Sequence, residues 1–236
     1  MQEKHGRNLF FKMAYSVRKA RIMTKNERLR LINKNHGIGK TEVPNCLVIP
    51  RLPFAVEGEK GKIKLVYYEE QEGKEELKGE KGKRYIKKEV ARALECLFMR
   101  AEEEGIVLAV VSGYRSYERQ EELYERSVKK NGISYANRYQ AKAGYSEHQT
   151  GLAVDVSGES IQYGLEELFG LTKEGVWLRR NCWKEGFIIR YPKGKEIITG
   201  YQYEPWHLRY VGRNEAEIMM KCGLTLEEFL LSMRVR

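Results

Sequence analysis

Two histidines and two carboxylates stand in two short segments of this chain: His148 and Asp155 in one, Glu204 and His207 of Glu204-Pro205-Trp206-His207 in the other. Imidazole nitrogen and carboxylate oxygen are the donors a catalytic zinc uses, three from the protein with a fourth position left to water. The pKa of such a water falls from about 16 to about 7, and a carboxylate that is not itself a ligand can take its proton. His148, Asp155 and His207 are the candidate ligands for one Zn2+ ion, and Glu204 is the candidate general base. The outline is that of a metallohydrolase. Nitrogen and carboxylate ligands also accept other divalent ions, so the set favours zinc over them without excluding them.

Arg115 lies in Ser112-Gly113-Tyr114-Arg115-Ser116, directly after the apolar run Ile106 to Val111. A loop held by a buried strand is a usual place for a functional residue, and a guanidinium there can hold a substrate carboxylate or stabilise an oxyanion. Gln120, about one helical turn further on, and Ser146, beside the first histidine, are candidates for hydrogen bonding to substrate. Trp206, within the Glu204 to His207 segment, completes the substrate-binding set.

The elements around these residues follow from periodicity. Ile86, Val90, Ala93, Leu94, Leu97, Phe98 and Ala101 recur at helical spacing from Tyr85 up to Gly105, a natural residue to follow a helix end. Cys96 falls in that pattern and is expected to be a buried free thiol. The run Ile106 to Val111 reads as a buried strand, and Ser116 caps a helix extending to Gly132, with a second short helix starting near Ser134. From Gly151 to Ser157 the chain alternates, so Asp155 is a polar residue on one face of a core strand, with His148 at that strand's mouth. Phe187-Ile188-Ile189 and Tyr201-Gln202-Tyr203 read as further strands, joined through a Pro192 to Gly194 turn. Glu204 and His207, three apart, would face opposite ways on a regular strand; Pro205 predicts a bulge or strand end that lets both aim at one metal. Thr225 to Glu228 matches a capping box opening a C-terminal helix. The fold class expected is α+β, helices packed against a small, largely antiparallel sheet.

At 236 residues, 42% hydrophobic and 11% aromatic, the chain is long enough for one well-buried domain, expected over 29–236 behind a basic segment, 1–28. Between Glu57 and Glu89 the sequence is dense in Glu, Lys and Gly; Ile63 to Tyr68 reads as a strand and Gly73, Gly79 and Gly82 as turns, giving an exposed hairpin or insertion near 57–85. The net charge of +10 is unevenly placed. Nine basic residues against Glu3 and Glu27 put +7 of it in residues 1–30, leaving about +3 for the body, with no basic stripe interleaved with aromatics; nucleic acid is therefore not expected as a partner. The basic segment is a candidate for weak attachment to anionic lipid or wall polymer. It contains no apolar run of signal-peptide or membrane-span length, so a cytoplasmic location is expected unless an export signal has been trimmed, in which case the cell envelope is expected. A monomer is expected. Cys46, Cys96, Cys182 and Cys222 form no CxxC pair, which argues against a cysteine-based metal site.

SGYRSYERQEELY at 112–124, SEHQTGLAVDVS at 146–157, GFIIRYPKGKEIITGYQYEPWHLRYVG at 186–212 and LTLEEFL at 224–230 together resemble the VanY-type D-alanyl-D-alanine carboxypeptidases. Leu31 to Lys34 and the Pro44 to Pro50 stretch resemble the start of that domain, so the likeness covers 29–236 in order. It implies the fold of hedgehog and D-Ala-D-Ala peptidases, and a zinc peptidase that removes terminal D-alanine from peptidoglycan stem peptides. The family's SxHxxxxxxD motif falls on Ser146, His148 and Asp155, and its ExxH motif on Glu204 and His207. By that likeness His148, Asp155 and His207 bind zinc, Glu204 is catalytic, Arg115 contacts substrate, and Gln120 and Ser146 lie near the bound peptide. Cleavage of a pentapeptide D-Ala-D-Ala end, of an L-Lys-D-Ala bond in a tetrapeptide, and of the free dipeptide all share these motifs, and a non-catalytic zinc module is the alternative outside enzymes. The stretch around 69–84 is longer than the family needs, and the family's usual export signal is absent.

Overall fold

Apolar periodicity and turn chemistry set the order of elements in this computed structural model, which describes residues 23–68 and 79–234. A short helix α1 (Lys25–Arg28), closed by a capping box between Thr24 and Glu27, leads to β1 (Leu47–Val48) and the hairpin β2 (Pro53–Glu57) and β3 (Ile63–Tyr67). β4 (Ile86–Lys87) runs straight into α2 (Lys88–Glu103), and β5 (Leu108–Ser112) is followed by α3 (Tyr117–Asn131) and α4 (Ile133–Tyr139). β6 (Ala153–Gly158), α5 (Lys173–Asn181), β7 (Phe187–Tyr191), α6 (Glu196–Thr199), β8 (Glu204–Tyr210), α7 (Arg213–Cys222) and α8 (Leu226–Arg234) complete the chain.

The main sheet has six strands in the order β3-β2-β5-β6-β8-β7, antiparallel at every junction except β2 with β5. The architecture is therefore α+β with a largely antiparallel sheet. α2 buries Val90, Leu94, Leu97, Phe98 and Ala101 against it, and one continuous core joins this face to Val110, Val154, Val156, Phe187 and Leu208. Each of the Val, Leu and Phe side chains contributes about 1.5–3 kcal/mol on burial. Ser116 accepts from Arg119 N, and Thr225 and Glu228 exchange both capping-box bonds at 2.8 and 3.2 Å, so the two predicted helix starts hold.

Several expectations are corrected. Ile86 pairs with Val48 in a strand, so the helix begins three residues later than the Tyr85 start of the apolar pattern. Cys96 is only half-buried because it sits beside the packed stripe; Cys182, at 3% exposure, is the buried thiol, and all four cysteines are free. Tyr201 to Tyr203 is no strand. The chain turns through Gly200 in the left-handed region, and Tyr201 packs its ring on Tyr191 instead, so β8 starts only at Glu204. The strand expected at Ile63 to Tyr68 is present as β3, but its hairpin partner is β2, upstream at Pro53–Glu57, which also joins the main sheet beside β5; Gly79 and Gly82 lie in a 3-10 helix, Gly79–Arg84, rather than in turns. Gly73 and most of the basic leader fall outside the described residues. Within the leader, Met23 is buried, Arg28 donates to Met23 O at 2.8 Å and pairs with Glu89 at 3.6 Å, and Lys25 pairs with Glu215 at 3.2 Å.

Candidate active site

Asp155 and His207 are direct partners across the β6–β8 ladder. Facing residues of an antiparallel pair point their side chains to the same side, so this register alone brings a carboxylate and an imidazole together. His148 comes from the 3-10 turn Glu147–Thr150 that precedes β6, not from the strand itself, and Gly151 at φ +68° lets the chain leave that turn and enter the sheet. On β7 and β8 the pairing steps from Ile189 with Leu208 to Tyr191 with Glu204, so four residues of β8 stand against two of β7. This is the bulge expected around Pro205. It turns Glu204 and His207 toward one cavity.

The three ligand candidates each offer an atom within 4.8 Å of the others. His148 Nε2 lies 3.2 Å from Asp155 Oδ2, and His207 Nδ1 lies 3.2 Å from Asp155 Oδ1 and 3.6 Å from a Glu204 oxygen. The His148 ring is set by its other nitrogen, Nδ1, 2.6 Å from the carbonyl of Gly113. With Nδ1–H donating there, Nε2 keeps its lone pair for a metal. Gly113 has no room for a side chain, since a Cβ would stand 2.5 Å from Tyr85 O and 2.8 Å from Ile86 Cγ2.

Charge at the site suits a cation. Burial opposes ionisation of Asp155, yet His148 and His207 hold it well below the usual carboxylate range. Burial likewise opposes charge on His207, but Asp155 and Glu147 raise it to about 9; the same negative field favours any positive ion. Burial lowers His148, more than Asp155 can offset, which leaves it neutral and ligand-ready. Asp155 Oδ1 is buried, with His207 Nδ1 at 3.2 Å but no well-formed hydrogen bond. A desolvated carboxylate oxygen is costly unless a cation meets it, so the residues present fit a divalent ion.

Glu204 is half-buried and stands off the three-ligand set; desolvation pushes it up to about 7 against the pull of His207, with Asp155 adding to the rise and Arg115 opposing it. Arg115 reaches the same cavity, its Nη2 3.9 Å from Asp155. Gln120 does not line that cavity. At 1% exposure it accepts from Arg115 Nη1 at 2.8 Å and donates to Ala141 O at 2.6 Å, so it holds the arginine in place. Ser146 and Trp206 line the cavity, about 330 Å³ in volume, together with Tyr139, Tyr191, Tyr201, Glu166 and Glu167.

One layer below the ligands lies a set of charges that the sequence reading missed. Glu147 is buried with one oxygen 2.8 Å from Arg190 Nε and 2.6 Å from Arg209 Nη1, and its other oxygen 3.6 Å from His207 Nε2. Arg190 also grips Glu227 of α8 at 2.6 and 2.9 Å, while Arg209 donates to the carbonyls of Arg28 and Arg30. Burial would raise Glu147, but the two guanidiniums hold it well below the ordinary range. A usable signal was present: Arg190 and Arg209 are arginines inside strongly apolar strand runs, and such positions require a buried partner.

Fold and site together define an α+β domain built around a His-Asp-His set able to hold a metal ion, with an adjacent carboxylate and arginine. The chain belongs to the VanY family, D-alanyl-D-alanine carboxypeptidase, whose model matches residues 83–213. It is 45% identical over 201 residues to the putative carboxypeptidase YodJ of Bacillus subtilis (strain 168), covering 85% of this chain and 66% of that one. The LdcB LD-carboxypeptidase structure superposes with a TM-score of 0.72 at 44% identity, over 86% of each chain. The vancomycin-resistance D,D-pentapeptidase VanY of a VanB-type cassette, solved with Zn(II), gives a TM-score of 0.62 at 29% identity, over 86% of this chain and 99% of that one. The chain spans 66% of the length of the first curated relative and 44% of the next.

Proposed function

We propose that this chain is a zinc-dependent carboxypeptidase that removes the C-terminal D-alanine from peptidoglycan stem peptides, with residues 29–236 as its catalytic domain. The observation that carries the reading is the convergence, in one cavity, of three metal ligands with a carboxylate and an arginine that are not needed as ligands. A closed structural site has no use for either. His148 Nε2, Asp155 and His207 Nδ1 would hold the ion. Once bound, it supplies Lewis acidity and lowers the pKa of a water molecule.

The remaining steps belong to the protein. Glu204 takes the proton of the attacking water and returns it to the departing D-alanine amine; burial has already raised it toward the operating pH, where proton transfer in both directions is most efficient. Arg115, held by Gln120, stabilises the oxyanion that develops on the attacked carbonyl. Glu147 and the Gly113 carbonyl fix the two imidazoles. The family's link to peptidoglycan supports a location at the cell envelope; among the described residues no helix is long and apolar enough to cross a membrane.

A second reading, cleavage of the L-Lys-D-Ala bond of a tetrapeptide, is favoured by the likeness to LdcB, which exceeds that to VanY in both identity and TM-score. Assay of the zinc-loaded protein on pentapeptide, tetrapeptide and free dipeptide separates the readings by which one loses D-alanine. Replacing Glu204→Gln is expected to lower kcat by about 10²–10⁴-fold with one zinc still bound per chain. Undiminished turnover in that variant would remove Glu204 from its role.

A further inference from the structure

Beside the catalytic cavity lies a second, of about 300 Å³, that shares Gln140 and Tyr201 with it and is otherwise lined by Lys34, Asn137, Lys142 and Tyr145. Its walls hold two ammonium groups and no carboxylate. Among the described residues neither lysine is in an ion pair. Lys34 donates to the Asn137 carbonyl at 2.8 Å and sits 4.7 Å from the centre of the Tyr201 ring. Three of its ammonium's hydrogens are donors, and the Asn137 bond uses one. Lys142 is exposed at the mouth. The catalytic cavity differs, with Glu166 and Glu167 on its rim and Arg115 set back beside Asp155.

The path between the two cavities is short. The His207 ring contacts Tyr191 at 4.9 Å, Tyr191 contacts Tyr201 at 4.9 Å, and Tyr201 carries Lys34 at 4.7 Å. Lys34 Nζ therefore stands no more than about 15 Å from the metal ligand, which an extended peptide at roughly 3.3 Å per residue spans in about four residues.

Resting on the carboxypeptidase reading, we infer that this annex is a specificity subsite that binds a carboxylate carried by the substrate within four residues on the N-terminal side of the attacked carbonyl. The Tyr145 and Tyr201 rings flank the peptide, and Lys34 and Lys142 supply charge-assisted hydrogen bonds to its acid. The pocket thus selects peptides by a free acid upstream of the cut, and an amidated counterpart loses those bonds.

The test uses the zinc-loaded full chain and synthetic peptides ending in D-alanine, in which one glutamate is moved through the four upstream residues, each peptide matched by its glutamine counterpart. At one position the glutamate peptide is expected to show a KM lower by about threefold to tenfold, with kcat unchanged. In the Lys34→Gln/Lys142→Gln double variant, and in Lys142→Gln alone to a smaller extent, the ratio of the two KM values at that position should fall toward one. No glutamate preference at any position overturns the subsite while leaving the carboxypeptidase intact. So does a preference that survives both substitutions, or a variant that raises both KM values equally. Failure of the unmodified protein to release D-alanine from any of the peptides overturns the carboxypeptidase reading, and the subsite falls with it.

Discussion

Glu147→Gln keeps the shape of the side chain and removes one negative charge from the layer beneath the ligands. Glu147 is fully buried, and its carboxylate meets Arg190 at 2.8 Å and Arg209 at 2.6 Å. Removing one partner of a buried ion pair costs about 3–5 kcal/mol. Here both guanidiniums keep other acceptors, Glu227 for Arg190 and two backbone carbonyls for Arg209, so the lower end, about 3 kcal/mol, is expected. For a chain of this length that is about 6–12 °C in melting temperature. Denaturant and thermal midpoints of the metal-free variant measure it. The sign with pH is fixed by the depressed carboxyl: its contribution is full above the unfolded value of about 4.3 and is lost in acid, so the deficit of the variant should shrink below about pH 4. Zinc affinity, read by titration, should also weaken by about 10- to 100-fold, because the carboxylate no longer faces His207 Nε2. A variant that melts within about 0.5 kcal/mol of the parent and binds zinc equally well would refute the assignment of this layer as the support of the metal centre.

Gly113→Ala would drive a methyl group into Tyr85 O and Ile86 Cγ2 and move the carbonyl that orients His148; a loss of about 1–3 kcal/mol in unfolding free energy and a measurable drop in zinc affinity are expected. Chelation of zinc present at about 100 times its Kd should lower the melting temperature by about 5–11 °C, reversed by added zinc, as scanning calorimetry can show. Burial pushes the Cys182 thiol up to about 12, so the unfolded chain, with a value of about 8.5, loses its proton first and Cys182 costs stability as pH rises through that window. Urea midpoints between pH 8 and 11 should fall less steeply in Cys182→Ala, and alkylation of the native protein should mark the exposed Cys46 and Cys222 while sparing Cys182.

The convergence of His148, Asp155 and His207 was legible because their donors are few in kind and sit on patterns with a readable period. Asp155 could be assigned to a face by alternation, and Pro205 announced the irregularity that brings Glu204 round to the side of His207. The support beneath was not legible, since Glu147 lies 43 and 62 residues from its two arginines and only the sheet brings them together. The hydrogen bond of Gln120 to Arg115 was not legible either, because sequence gives direction only to within a helical turn. β2 was missed for a local reason: it opens on Pro53 and closes on Glu57, and Pro53 is tolerated at the first position of a strand.

The pairing of Asp155 with His207 has a consequence for how such a domain can diversify. Their separation is fixed by the spacing of neighbouring strands, about 4.8 Å, and by a ladder that continues through Val154 and Ala153, so the reactive geometry is an attribute of the sheet. The segments that line the two cavities away from the ligands are of another kind: the turn at Lys34, the short helix α4, Lys142, and the stretch at Glu166 and Glu167. Those segments can lengthen, shorten or exchange charge without shifting a ligand. The ligand candidates and the cavity walls are thereby placed on separate parts of one small domain, so that one can change while the other keeps its geometry.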